Sequence, residues 1–247
     1  MPGTLYIVST PIGNLEDITL RALRILKEVA TIAAEDTRHT QKLLSHFDIH
    51  VPLTSYHDFN KEEKTPVLIS RMMEGASVAL VADAGTPTIS DPGFYLIREA
   101  IRAGLPVSPI PGPAAAVAAL SVSGLPTDRF VFEGFLPKKK GARARRLETL
   151  RDEPRTLIFY ESPYRIVPLL EEIRTILGDR PAVVSREMTK MFEEFIRGSV
   201  TEVIEKIGKR SLKGEITLVI GGNRGEELPV IEDEIDEEAL DREEPEE

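Results

Sequence analysis

Val78-Ala-Leu-Val-Ala82 and the segment behind it, Asp83-Ala-Gly-Thr-Pro-Thr-Ile-Ser-Asp-Pro-Gly93, decide the fold. The first five residues are apolar at every position, so a strand built from them has no water-facing side, the pattern of a parallel strand covered by helices on both faces. The following segment is broken by two prolines and two glycines and reads as a loop. Beyond it Phe94, Ile97, Ile101 and Leu105 recur at helical spacing over 92–103, and a second short strand, 107–110, leads to the turn Pro109-Ile-Pro-Gly-Pro-Ala114. Strand, loop, helix and strand in this order make one crossover unit. Upstream the pattern repeats, with strands over 4–9, 30–34 and 51–55 and helices over 18–27, 37–47 and 61–74. Five strands joined by four crossovers predict a doubly wound, mostly parallel α/β domain spanning 1–122.

A small-residue helix over 112–120 and the turn Ser121-Val-Ser-Gly-Leu-Pro126 lead into a second α/β domain, 127–225. Its strands are predicted at 130–134, 156–160, 182–185, 193–198 and 215–220, with helices near 143–151, 164–177 and 200–207. Strands that follow one another without a crossover imply a mixed sheet. Several helix starts are legible in local chemistry. Asp91-Pro92 and Ser162-Pro163 each set a capping oxygen before a proline, and Asn60 with Glu63 and Ser199 with Glu202 have capping-box spacing.

The 247 residues carry 31 basic and 41 acidic side chains, a net charge of -10 that argues against a polyanionic partner. Thirteen of those acids and a single base lie in 226–247, read as a disordered acidic tail, so the body is near neutral. The absence of cysteine removes disulfides, thiolate nucleophiles and zinc-thiolate sites together. His46 and His50 have the spacing of two ligands on one helix face, but the helical pattern stops near Phe47 and Pro52 follows, so no metal is predicted. The N-terminus has no basic segment before its apolar stretch, and the weakly polar run 113–124 is too short to span a bilayer, so a soluble cytoplasmic protein with no membrane partner is expected.

In open α/β sheets ligands bind beyond the carboxyl ends of the strands. Three glycine- and proline-rich loops lie there: 9–14, 82–93 and 109–114. None contains a GxGxxG or GxxxxGK[ST] pattern. Their order and spacing resemble the tetrapyrrole methylase superfamily of S-adenosylmethionine-dependent methyltransferases. Leu5-Tyr-Ile-Val-Ser-Thr-Pro-Ile-Gly-Asn14 is similar to that family's opening strand and loop, Asp83-Ala-Gly-Thr-Pro-Thr-Ile89 to its GGDP-type loop, and Pro111-Gly-Pro-Ala-Ala115 to its third turn. Thr86 stands where many members carry aspartate. Ala34-Glu-Asp-Thr-Arg-His-Thr40, Ser55-Tyr-His-Asp-Phe-Asn60, Glu133-Gly-Phe-Leu-Pro-Lys-Lys-Lys140 and Ser185-Arg-Glu-Met-Thr-Lys190 resemble a narrower branch, the bacterial small-subunit rRNA (cytidine-2′-O)-methyltransferases.

The resemblance implies a homodimer of two-domain subunits, the methyl donor S-adenosylmethionine in the interdomain cleft, and a cytidine ribose near the ribosomal decoding site as acceptor, presented by rRNA or the small subunit. It assigns donor binding to Pro11, Asp83, Gly85, Thr86, Ile89, Pro111, Gly112, Ala114 and Ala115, with Tyr160 from the second domain. A ribose 2′-hydroxyl is a very weak acid and needs a base or a stabilising cation. Glu35 or Glu187 is the candidate proton acceptor, with Arg38 and Lys190 stabilising charge or holding phosphate. Asp36, beside them, either joins this set or caps the following helix, and Glu187 with Lys190 either reacts or forms an ion pair. Lys138, Lys139, Lys140, Arg143, Arg145 and Arg146 put six bases and no acid into nine residues, a candidate RNA-phosphate loop. The nearest alternative is a precorrin-type tetrapyrrole C-methyltransferase, whose polycarboxylate substrate would also suit that loop. A rival of another class is an RNA-binding or assembly protein without catalysis.

Overall fold

Period-two alternation builds the first sheet. In β4 (Val78–Val81) the side chains of Val78 and Leu80 enter one apolar layer and those of Ala79 and Val81 the opposite one. The computed structural model, which describes residues 1–223, sets this strand among β1 (Leu5–Val8), β2 (Thr31–Ala34), β3 (Leu53–Ser55) and β5 (Val107–Ile110) in the order β3-β2-β4-β1-β5, every pairing parallel. Helices α1 (Leu20–Glu28) and α2 (Thr37–His46) cover one face through Ile25, Leu26 and Leu44. Helices α3 (Lys61–Met73) and α4 (Phe94–Arg102) cover the other through Leu68, Met72, Leu96 and Ala100. Neighbouring strands β1 and β4 thus send the chain to opposite faces, which opens a crevice beyond their carboxyl ends.

The second sheet is mixed, in the order β6-β7-β10-β8-β9. Strands β6 (Phe130–Phe135) and β7 (Thr156–Glu161) run parallel, whereas β8 (Pro181–Arg186), β9 (Glu194–Ser199) and β10 (Ile216–Ile220) pair antiparallel. Leu157, Phe159, Val184 and Leu218 pack beneath α6 (Lys140–Glu148), α7 (Ile166–Leu177) and α8 (Val200–Ile207). The other face, through Ile158, Val183 and Val219, meets Ala116, Ala119 and Leu120 of α5 (Ala115–Ser121) together with Ile12 of the first loop. Helix α5 follows the first sheet in sequence but buries its apolar face on the second, and so joins the two. Where loop 9–14 meets the second unit, a Cβ on Gly13 would lie 2.5 Å from Cγ of Lys190, so only glycine allows that approach.

Local signals are realised unevenly. Ser199 and Glu202 form the expected reciprocal capping box at α8. Asp91 does not cap α4: that position falls to Gly93, whose φ of 135° lets the chain turn against Leu80, and Asp91 is left in the loop. Asn60 precedes α3 but makes no cap bond, because its amide accepts from the N–H of His57 (2.9 Å) and donates to Ser55 O (3.2 Å). Ser162 accepts from the N–H of Tyr164 (3.4 Å) in a turn, and α7 begins only at Ile166. Helix α6 starts at Lys140, three residues before its expected position. Helix α2 ends at His46, so His46 and His50 do not share a helix face, and His50 pairs with Asp48 at 2.8 Å. Among the described residues no helix is long and apolar enough to cross a membrane. The 226–247 tail and the end of the second domain at 225 lie outside the described residues.

Replacing Ser199 by Ala removes the acceptor for the Glu202 N–H and is expected to lower stability by about 1 kcal/mol in urea denaturation.

Candidate active site

Three loops that are remote in sequence are tied to one another beyond the ends of β1, β4 and β5. Thr10 and Gly85 exchange backbone hydrogen bonds in both directions (2.9 and 3.0 Å), an isolated antiparallel bridge between two parallel strands' loops. The Thr10 hydroxyl donates to Ala82 O (3.3 Å). One residue further, Ser9 Oγ lies 2.9 Å from Thr86 Oγ1, which donates to Pro113 O at 3.1 Å. A single hydroxyl proton on each of Ser9 and Thr86 satisfies this chain.

Between these loops and the second sheet lies a cavity of ≈ 410 Å³. Tyr160 closes it from β7. Its hydroxyl accepts the N–H of Ala116 (3.2 Å), doing for α5 what the side chain of Ala114 cannot, and its ring packs edge-on against Phe132 and Phe135. The lining contains five acidic residues, Glu35, Asp83, Asp91, Glu161 and Glu215, and no lysine, arginine or histidine. Burial, with the charges of Glu35 and Asp83, pushes the Asp91 carboxyl up to about 7. Burial, then Asp83, likewise raises Glu35 above the usual carboxylate range. Asp83 Oδ1 accepts the N–H of Asp36 (3.0 Å), which ties the ends of β2 and β4 together. Glu161 is turned away into an ion pair with Arg165 and accepts the Ser162 N–H at 2.6 Å.

Of the donor-site candidates, Asp83, Gly85, Thr86, Ile89, Ala114, Ala115 and Tyr160 line this cavity, while Pro11 lines an adjoining one. Pro111 and Gly112 line neither; Gly112 backs onto Ser9, where a Cβ would come within 2.9 Å of the serine Cβ. The reactive candidates separate. Glu35 faces the cavity. Asp36 caps α2 through the Arg38 N–H (2.8 Å) and binds the Arg38 guanidinium, which holds its carboxyl well below the usual range, and the Arg38 side chain is 89% exposed. Burial opposes ionisation of Glu187, but Lys190 at 2.9 Å and the Glu215 N–H at 3.0 Å outweigh it and hold its pKa down. Lys190 also binds Glu215 at 2.8 Å. Asp91 is the carboxyl that sequence reading missed, since Pro92 behind it mimics a helix start; its place in a loop beyond β4 was the available signal.

The basic segment is only partly free. Arg143 is buried in a bidentate pair with Glu172 (2.7 Å for both bonds), and Arg146 makes the same arrangement with Glu133. Lys138, Lys139, Lys140 and Arg145 have no ion-pair partner among the described residues. Nor does any group of three or more His, Asp or Glu side chains among those residues have the geometry to hold a metal.

Residues 4–204 match the profile of the Tetrapyrrole (Corrin/Porphyrin) Methylases. The chain is 53% identical to Ribosomal RNA small subunit methyltransferase I of Halalkalibacterium halodurans over 90% of its own length and 76% of the relative's. It is 52% identical to the protein of that name from Xylella fastidiosa, over 90% and 82%. Among solved structures it superposes with a TM-score of 0.60 on Uroporphyrin-III C-methyl transferase from Thermus thermophilus complexed with S-adenyl homocysteine, at 23% identity and over 89% and 97% of the two chains.

The raised pKa of Asp91 makes stability pH-dependent. The folded protein keeps a proton there that the unfolded chain loses near 3.8, so the contribution of Asp91 to stability falls as pH rises from about 4 to about 7 and is level above that. Asp91→Asn abolishes this loss. Its gain in melting temperature over the parent is expected to grow across that window, and an equal gain at pH 4 and pH 8 would show that the carboxyl titrates normally.

Proposed function

The chain belongs to the tetrapyrrole methylase family and, within it, to the small-subunit ribosomal RNA methyltransferase I group, and on that premise we propose that it transfers a methyl group from S-adenosylmethionine to the ribose 2′-hydroxyl of a cytidine near the decoding site. The observation that carries this reading is the cavity, whose wall holds Glu35, Asp83 and Asp91 with no ion-pair partner among the described residues, while its other two acids, Glu161 and Glu215, are paired with Arg165 and Lys190. The donor supplies an electrophilic methyl on a positively charged sulfur, and a negatively lined cavity of ≈ 410 Å³ fits a cation of that size.

Charge is neutralised as the methyl leaves sulfur for oxygen, so the acidic wall contributes to holding the donor more than to the rate. Rate comes from alignment and from proton removal. The tied loops fix the floor on which the donor lies. Glu35, whose pKa burial and Asp83 raise, takes the 2′-hydroxyl proton, with Asp91 beside it in the same field. Glu187 is a poorer base, since Lys190 and the Glu215 N–H already occupy its carboxylate, and its part is to hold Lys190. Lys138, Lys139, Lys140 and Arg145 contact phosphates and position the RNA without selecting the nucleotide. The protein acts in the cytoplasm as a homodimer, a statement supported by the family resemblance; a single-chain mass in light scattering would remove the dimer.

The deciding assay is transfer of labelled methyl to small ribosomal subunits from a strain lacking its own cytidine 2′-O-methylation. Labelled 2′-O-methylcytidine is expected after nuclease mapping; no label on RNA while the donor still binds would move the assignment to a tetrapyrrole acceptor. Glu35→Gln is expected to lower kcat by about 10²- to 10⁴-fold with donor affinity nearly unchanged.

A further inference from the structure

Beside the donor cavity lies a second one of ≈ 340 Å³ that shares with it only Ile12, Asp83, Ala84 and Glu215. Its outer wall is one side of α2, which has no acidic residue in a chain that carries 41 acids. His39 and Lys42, three residues apart, project on the same side of that helix and line the cavity. Neither side chain has a hydrogen-bond or ion-pair partner among the described residues, the His39 backbone N–H alone reaching Asp36. Between them Thr40 also lines the cavity, is only 2% exposed, and has a buried Oγ1 with no partner. A helical threonine ordinarily settles its hydroxyl on the carbonyl one turn back. Here it is left to a ligand. On the opposite wall the Lys190 ammonium is already held by Glu187 and Glu215, so the uncompensated positive charge belongs to α2.

We propose that this cavity is a phosphodiester subsite in which Lys42, His39 and the Thr40 hydroxyl hold a phosphate of the strand next to the reacting ribose. The inference rests on the methyl-transfer reading and specifies how that site grips its substrate. A 2′-hydroxyl and the 3′-phosphate stand on neighbouring carbons of one sugar, and the two cavities share a wall, so a single nucleotide reaches both. Asp83 and Glu215 stand on the shared wall, so charge sorts the occupants by what each cavity adds to it: Glu35 and Asp91 on the donor's side, and the unpaired Lys42 of α2 on the side offered to the anionic backbone. This contact differs from that of Lys138–Lys140, which lie in the other structural unit.

The test uses the full chain with Lys42→Ala, His39→Gln and Thr40→Val, and three readouts: KM for small ribosomal subunits, donor affinity by calorimetry, and the salt dependence of binding to a single-stranded oligoribonucleotide. Lys42→Ala is expected to raise KM several-fold, to leave donor affinity unchanged, and to make the slope of log K against log salt shallower by about 0.7. Thr40→Val is expected to weaken RNA binding without lowering the melting temperature, which a purely structural threonine would not do. Unchanged KM and slope overturn the proposal. So does a loss of donor affinity with RNA binding intact, which would assign the cavity to the donor's own carboxylate. If the parent protein methylates no subunit, the reaction reading falls, and the oligoribonucleotide slopes still decide the subsite: equal slopes in parent and Lys42→Ala reject it.

Discussion

The reciprocal hydrogen bonds between Thr10 and Gly85 are the constraint on which the geometry of the candidate site depends. Loops 9–14, 82–93 and 109–114 contain little that would order them alone, and each residue fixed in a loop costs about 1–2 kcal/mol of backbone entropy. The bridge joins the first two, and the Ser9–Thr86–Pro113 chain adds the third. Thr86 has a particular part here. An ionised carboxylate at this position could not donate to the Pro113 carbonyl, whereas a hydroxyl donates to it and accepts from Ser9. The position is thereby an internal tie in this protein.

Charge is the second organising feature. Two adjoining cavities share Asp83 and Glu215 on a common wall and differ in what else lines them: one adds Glu35, Asp91 and Glu161 and no base, the other Lys42, His39 and Lys190. Crowding carboxylates into a half-buried space raises their pKa values, and the resulting cost falls on Asp91 and Glu35, the groups nearest the proposed chemistry. Other carboxylates, Glu215 of the cavity wall among them, are spent on ion pairs. Glu172 and Glu133 take Arg143 and Arg146 out of the basic segment, and Glu187 with Glu215 fixes Lys190.

Topology brings the parts together. Because β1 and β4 are neighbours whose chains leave toward opposite faces, their loops meet over a crevice and not over a helix. The second sheet supplies the roof, since the alternation in β7 that sends Phe159 into its own core sends Ile158 and Tyr160 toward the first unit. Helix α5 is the hinge element of this packing in the static sense: it starts at the third loop and lies on the second sheet.

Strand and loop positions were legible in the sequence because they are set locally. An all-apolar run such as 78–82 must be a covered strand, a Gly/Pro segment must end it, and Ser199 with Glu202 closes a capping box within one turn. The three loops that form the candidate site were visible for the same reason. Their joining was not, because the Thr10–Gly85 bridge spans two segments with no local signal for one another. Asp91 reads locally as a helix cap, and only the turn at Gly93 sets it in the cavity beside Glu35 and Asp83. Arg143 and Arg146 read as free bases until Glu172 and Glu133 arrive from α7 and β6. Secondary structure follows from neighbours along the chain, whereas protonation and the availability of a charge follow from neighbours across space, and those only the packed structure supplies.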